Sequence, residues 1–235
     1  MTVRDLATAT PRTGEQSSRV SADAVWRLPV TVCRITDFLG KRTSAALLER
    51  VVAEAGGAMA PSTVDGSSVV PEVRRSRSAW FGAPELLEAI GEVLEVVENT
   101  LHVSCRDTEP SYCLNVHNDG DFYRAHQDTD GSGYSERLLT FVYYLHRTPR
   151  PFHGGALRVF DALHPVDPEK TPTWEGCTWR DYEPEHDSIV FFRPTVWHEV
   201  RKVGCPSGRP EDSRFAVNGW LCRRPTLPSA REDVN

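Results

Sequence analysis

Helical periodicity in the first hundred residues and strand-like alternation after about residue 103 predict a single α+β domain with a β-sandwich or barrel core. No low-complexity linker or repeat interrupts the pattern. At 235 residues the chain suits one such domain with short tails. Residues 1–22, rich in Thr, Ser and Arg, read as a flexible arm, and 224–235 as a tail. Residues 23–223 form the expected domain, with the β core from about 103 to 223.

The first helix is expected over 44–55, where Leu47, Leu48, Val51, Val52 and Ala55 recur at helical spacing. Thr43 is placed to cap its start and Gly56-Gly57 to end it. The second, 84–101, opens with Pro84 and carries Leu86, Ile90, Val93, Val97 and Leu101 on one face. Five glutamates from Glu85 to Glu98 occupy the other face, which reads as solvated. Short β-type runs follow at 112–116, 122–126, 138–145, 156–160, 188–192, 196–200 and 215–222. Asn118-Asp119-Gly120 and Asp130-Gly131 are turn signals between them. The polar stretch 171–185, with Trp174 and Trp179, reads as a loop on the rim of the β core.

Composition narrows the function. A net charge of −6 provides no concentrated basic face for phosphate contacts, so no nucleic-acid partner is expected. No apolar run approaches the ~20 residues of a spanning helix, and none near the N-terminus resembles a secretory core. A cytoplasmic protein with no membrane partner is therefore expected. The six cysteines form no C-x-x-C pair and read as small, mostly buried thiols rather than disulfides or a zinc knuckle.

The chemistry concentrates in the strand region. His126 and Asp128, two residues apart, project to one face of an extended strand, and His198 lies 70 residues beyond Asp128 on another. Two imidazoles and a carboxylate form the facial ligand set of non-haem Fe(II) sites that keep open positions. The same set also suits catalytic zinc. Sixteen positions after His198, Arg214 heads an apolar strand and aims a guanidinium into the barrel lumen. A buried guanidinium needs an anion such as the distal end of a dicarboxylate, to which Tyr144 is placed to add a phenolic hydrogen bond. Arg209 is the rival, but between Gly208 and Pro210 it reads as a solvated loop tip.

Two substrate contacts are candidates. Tyr123 sits at an odd offset from His126 and reaches the same face only if a bulge intervenes. Arg158 faces either substrate or solvent. Glu199 should point away from His198, and His117, His146, His153 and His164 read as surface residues near turns or strand ends.

Four blocks, in order, resemble the prolyl-hydroxylase-type branch of the Fe(II)/2-oxoglutarate-dependent oxygenases. They are Tyr123-Arg124-Ala125-His126-Gln127-Asp128, Thr140-Phe141-Val142-Tyr143-Tyr144-Leu145, Gly154-Gly155-Ala156-Leu157-Arg158-Val159-Phe160, and Trp197-His198-Glu199-Val200 followed by Arg214-Phe215-Ala216-Val217. The segment Val70-Pro71-Glu72-Val73-Arg74-Arg75-Ser76-Arg77 is similar to one in bacterial members. The resemblance implies a double-stranded β-helix (jelly-roll, cupin-like) core with supporting N-terminal helices. It implies Fe(II) on His126, Asp128 and His198, and 2-oxoglutarate on Arg214 and Tyr144 beside Leu157, Asn218 and Trp220. O₂ is the implied oxidant, with ascorbate supportive. Related enzymes place the basic residue closer to the second His, so 203–212 is expected to form an extended turn.

The implied reaction is decarboxylation of 2-oxoglutarate to succinate and CO₂, coupled to hydroxylation of an aliphatic C–H. The substrate would be a prolyl-like residue, an amino acid or a small biosynthetic metabolite, hence a small-molecule or peptidyl partner. Desaturation, cyclisation or epoxidation are alternative outcomes. A metal-binding β-barrel without oxygenase activity, a sensor or zinc hydrolase, is the reading from another class.

Overall fold

The computed structural model describes residues 25–57, 59–64, 66–129, 137–165 and 176–224. The expected arm 1–22, nearly all of the tail, the Asp130-Gly131 turn and Trp174 lie outside them. From the N-terminus come β1 (Val25–Leu28), β2 (Cys33–Thr36), α1 (Gly40–Ala55), β3 (Ala60–Pro61), β4 (Arg74–Arg75), β5 (Arg77–Ala79) and α2 (Pro84–Leu101). There follow β6 (Thr108–His117), β7 (Phe122–His126), β8 (Arg137–Leu145), β9 (His153–Gly154), β10 (Leu157–Phe160) and β11 (Ala162–Pro165). The series closes with β12 (Trp179–Tyr182), β13 (Ser188–Phe192), β14 (His198–Val200), β15 (Val203–Gly204) and β16 (Arg214–Arg223).

Most of these strands form two antiparallel sheets. One runs β2-β13-β8-β16-β6-β5-β3 and the other β12-β10-β14-β7-β4. Successive strands largely alternate between sheets: β6, β8, β13 and β16 belong to the larger, β7, β10, β12 and β14 to the smaller. Period-two alternation explains how the larger sheet is buried on both faces. Its odd-numbered β8 residues, Leu139, Phe141, Tyr143 and Leu145, pack with Leu47 and Val51 of α1 and Leu86, Ile90 and Val97 of α2. Its even-numbered Val142 and Tyr144 pack with Leu157 and Val159 of the smaller sheet. The two helices thus cover one face and the second sheet covers the other.

The helix α2 and the strands β7 and β13 have the expected bounds, while α1 begins earlier, at Gly40. Thr43 is inside its first turn, and Leu39 occupies the cap position without a side-chain cap bond. The Leu39 N–H instead donates to Asp187 Oδ1 at 2.8 Å, so a residue 148 positions away anchors this helix start. The same Asp187 carboxylate accepts from the Tyr143 hydroxyl at 2.7 Å, tying helix to sheet.

Two of the histidines expected at the surface are not there. His117 ends β6 and is 2% exposed; His146 is 7% exposed. His153 is exposed, and the His164 side chain lies outside the described residues. The strands β2 and β12 were not expected, because Cys-Arg-Ile-Thr and Trp-Arg-Asp-Tyr are polar edge strands held by their neighbours. All six cysteines are thiols; Cys105, Cys177 and Cys205 are buried and the other three partly so.

Phe141 is fully buried between the larger sheet and the helices. Phe141→Ala should cost about 3–5 kcal/mol in urea unfolding, the range for truncating a core aromatic. A loss below about 1 kcal/mol would contradict this account of the core.

Candidate metal centre

The pairing of β7 with β14 sets His126 directly opposite His198. Each imidazole is fixed by a backbone carbonyl two residues earlier: His126 Nδ1 lies 2.8 Å from the Arg124 carbonyl and His198 Nδ1 2.8 Å from that of Val196. As N–H donors there, both rings present the Nε2 lone pair, the arrangement that orients histidine metal ligands. Asp128 follows the end of β7, its N–H donating to the Pro194 carbonyl at 2.9 Å. Thr140 donates to Asp128 Oδ2 at 2.8 Å, while Oδ1 lies 3.8 Å from His126 Nε2 and 3.9 Å from His198 Nε2. The three ligand atoms lie within 4.8 Å of one another, a set that a single divalent ion can draw together.

Electrostatics agree with that geometry. Burial, with the neighbouring His198, pushes His126 down to about 3, keeping its ring neutral with a free lone pair. Burial alone would raise the Asp128 carboxyl, but the two imidazoles and the Thr140 hydrogen bond outweigh it and hold it below the usual range. A neutral His126 ring beside an ionised Asp128 carboxylate results.

Beside this cluster lies a cavity of about 440 Å³, lined among others by His126, Asp128, His198, Leu157, Arg214, Asn218 and Trp220. Arg214 is 2% exposed, with Nε donating to the Gly155 carbonyl at 2.7 Å and its guanidinium 4.9 Å from the Tyr144 ring centre. Burial lowers its proton affinity, and no described carboxylate forms an ion pair with it. Gly155 has φ +72°, and a Cβ there would come within 2.7 Å of Arg214 Cδ, so a side chain at 155 would displace the guanidinium.

Buried hydrogen-bonding atoms without a partner cluster here. Among the described residues they are both ring nitrogens of His117, Tyr144 Oη, Asn218 Oδ1, Trp220 Nε1 and, elsewhere, Arg34 Nε. His117 is the register partner of Arg214, whose charge adds to burial in depressing the imidazole. Such groups are costly to leave unsatisfied, and their concentration marks a place built for a polar ligand. Arg209 is exposed and bound to Asp212 through Nε at 2.8 Å. It does not line the cavity. The extra length between His198 and Arg214 is taken up by β15 and a 3₁₀ turn at Pro210–Asp212.

A bulge brings Tyr123 to the cavity. Across the β7–β14 ladder, His126 and Tyr123 oppose His198 and Val200, so that two intervening residues on β7 face one on β14. Tyr123 stacks on the His126 ring at 3.6 Å. Arg158 is not brought to the cavity: its Nε and Nη2 bind Asp181 at 2.7 and 2.8 Å beneath Trp179. Glu199 points the same way as Arg158, pairing with Arg201 at 2.8 Å. Sequence reasoning missed Thr140, His117, Asn115 and Arg74. The even-numbered face of 138–145 held the signal for Thr140, two residues from Val142 and four from Tyr144.

Thr140→Val should lower the affinity for Mn(II) about 10–100-fold by equilibrium dialysis, as loss of a ligand-orienting hydrogen bond does. Unchanged affinity would show that Asp128 needs no such support.

Residues 112–222 match the model of the 2OG-Fe(II) oxygenase superfamily. A PKHD-type hydroxylase of Synechocystis, itself uncharacterised, is 38% identical over 112 residues, covering 47% of this chain and 35% of that protein. The chain thus spans about a third of the length of that curated relative. In structure, a prolyl-4-hydroxylase of Pseudomonas putida superposes with TM-score 0.61 at 22% identity, over 83% of this chain and 94% of that one. A Trichoplax adhaerens prolyl hydroxylase, solved with a hypoxia-inducible-factor peptide fragment, gives 0.59 at 18% identity, over 81% and 83%. The structural likenesses show a shared fold, and the match of residues 112–222 together with the hydroxylase relative supports a 2OG-Fe(II) oxygenase of the prolyl-hydroxylase type.

Proposed function

We propose that the protein is an Fe(II)- and 2-oxoglutarate-dependent dioxygenase that hydroxylates an aliphatic C–H. We read its two alternating antiparallel sheets as the double-stranded β-helix of that family. His126 and His198 would hold iron through Nε2 and Asp128 through Oδ1, with Thr140 fixing the carboxylate. Iron bound there with 2-oxoglutarate supplies the O₂-driven decarboxylation to succinate and CO₂ and the oxidation of the substrate C–H. Because Asp128 supplies the carboxylate ligand, hydroxylation is the default outcome.

The remaining work falls to the chain itself. Arg214, aligned by the Gly155 carbonyl, binds the distal carboxylate of 2-oxoglutarate, with Tyr144 Oη donating a further hydrogen bond. Neutral His117 supplies a third donor on the same side. Asn218 and Trp220 contribute polar atoms to the cavity wall, and Leu157, Val142 and Val200 contribute apolar surface that excludes water. The observation that carries this reading is the cluster of unpartnered buried groups around Arg214, opening onto the His–Asp–His set. A zinc hydrolase or metal sensor has no need of that second, carboxylate-binding end.

The test is succinate formation from 2-oxoglutarate by the purified protein with Fe(II), ascorbate and O₂. Prolines, short peptides and metabolites would be added in turn. Iron-dependent succinate is expected in the wild type and none in His126→Ala; absence from folded wild-type protein under every condition overturns the proposal. Arg214→Ala should weaken 2-oxoglutarate binding by about 2–5 kcal/mol in calorimetry, as for a desolvated charge pair losing one partner. Arg209→Ala should leave it unchanged; the reverse pattern would transfer the co-substrate role to Arg209.

A further inference from the structure

The cavity holds more positive charge than the proposed reaction uses. Among the described residues its wall carries three guanidinium groups, Arg74, Arg137 and Arg214, against one carboxylate, Asp128. A divalent cation and doubly charged 2-oxoglutarate cancel one another, so they leave this excess in place. Arg214 is assigned to the co-substrate, and Arg137 packs over Trp220 while donating to the Asp128 carbonyl at 2.9 Å. Arg74 has no such assignment.

Its surroundings hold Arg74 firmly without neutralising it. β4 sets it opposite Tyr123, with its guanidinium 4.6 Å from that ring's centre; the same ring stacks on His126. Nε donates to Ser76 Oγ at 3.0 Å and Nη1 to the Thr63 carbonyl at 2.8 Å, while Nη2 bonds Asn115 Oδ1. All three acceptors are neutral. No described carboxylate reaches Arg74 within ion-pair distance; Tyr123, Cys113 and, more weakly, the candidate ligand Asp128 are the groups that offset its burial. Three of its five N–H groups orient the fork on neutral acceptors and a further side-chain hydrogen bond links it to Tyr123, on a side chain that lines the cavity.

Desolvated, oriented and uncompensated guanidinium is the chemistry of a carboxylate site. We propose that Arg74, supported by Asn115 and Tyr123, anchors a carboxylate of the substrate. The substrate class is therefore a small molecule bearing a free carboxylate, such as a free amino acid or organic acid, and not an internal residue of a peptide. The stack from Arg74 through Tyr123 to His126 would tie the position of that carboxylate to the metal centre, so the distance along the substrate selects which C–H is presented. This inference names the substrate class of the reaction proposed above and rests on that reading.

The test is binding of matched acid and amide pairs to protein saturated with Mn(II) and 2-oxoglutarate under anaerobic conditions. Saturation keeps the acids off the Arg214 end. The pairs are L-proline and L-prolinamide, N-acetyl-L-proline and its amide, hexanoic acid and hexanamide, and a proline-containing tripeptide with free or amidated C-terminus. For at least one pair the acid should bind about 30-fold or more tightly than the amide, the lower end for pairing a desolvated charge. Arg74→Gln should erase that preference while 2-oxoglutarate affinity stays near wild type and the protein remains folded by circular dichroism. Arg74→Lys should restore part of it, since the charge returns without the fork.

Three results would overturn the inference. One is that no acid is preferred over its amide in the wild type. Another is that the preference survives Arg74→Gln. The third is that Arg74→Gln weakens 2-oxoglutarate as much as Arg214→Ala, making Arg74 a co-substrate residue. Failure of iron-dependent succinate formation with an intact acid preference would instead sink the proposed activity and leave the anion site standing.

Discussion

The larger sheet is buried on both faces, and everything at the site follows from that constraint. A strand with one apolar face needs one partner layer; β8 and β16 need two. The odd-numbered face of β8 is met by α1 and α2, the even-numbered face by the smaller sheet. The second packing leaves the cavity between sheets where β7, β14 and β16 bring their polar residues together. The helices are therefore supports: they add no residue to the described cavity wall, yet they allow the sheet to present Thr140 and Val142 to it.

Inside that dry layer, polar groups carry a meaning they would lack at the surface. His126 and His198 are pinned through Nδ1, and Asp128 through Oδ2, so three atoms are left pointing at one place. Arg214 is aligned by one carbonyl and lacks a counter-charge, with Tyr144 and His117 unpartnered beside it. A folded chain tolerates such debts only where a ligand settles them, because each unsatisfied buried group costs on the order of 1–3 kcal/mol. Arg214 and the His126–Asp128–His198 set line one cavity, the ground on which we propose a metal and a dicarboxylate there rather than a metal alone.

Much of this was legible in the chain. The candidate ligand cluster follows from a two-residue spacing on one strand and a third residue on another. The helix 84–101 and the strands 122–126 and 188–192 have their expected bounds, because strong periodicity coincided with real burial. What failed were features decided across long separations. Thr43 lost the cap of α1 to Asp187, a residue near β13. His117 looked like a turn residue, but β6 runs one residue further and pairs it with Arg214. Arg158 lay in a suggestive block, yet its strand parity sends it outward to Asp181.

By itself the sequence determined the two long helices and the strand-rich region after them, the grouping of His126, Asp128 and His198, and the burial of Arg214 against the exposure of Arg209, since local period and residue chemistry carry those. Only the tertiary structure decided which polar groups would share one dry cavity. The bulge opposite Val200 turned Tyr123 onto the His126 face, and β4 laid Arg74 against it. Register and sheet packing depend on contacts tens of residues apart, and those are invisible to any local reading of the chain.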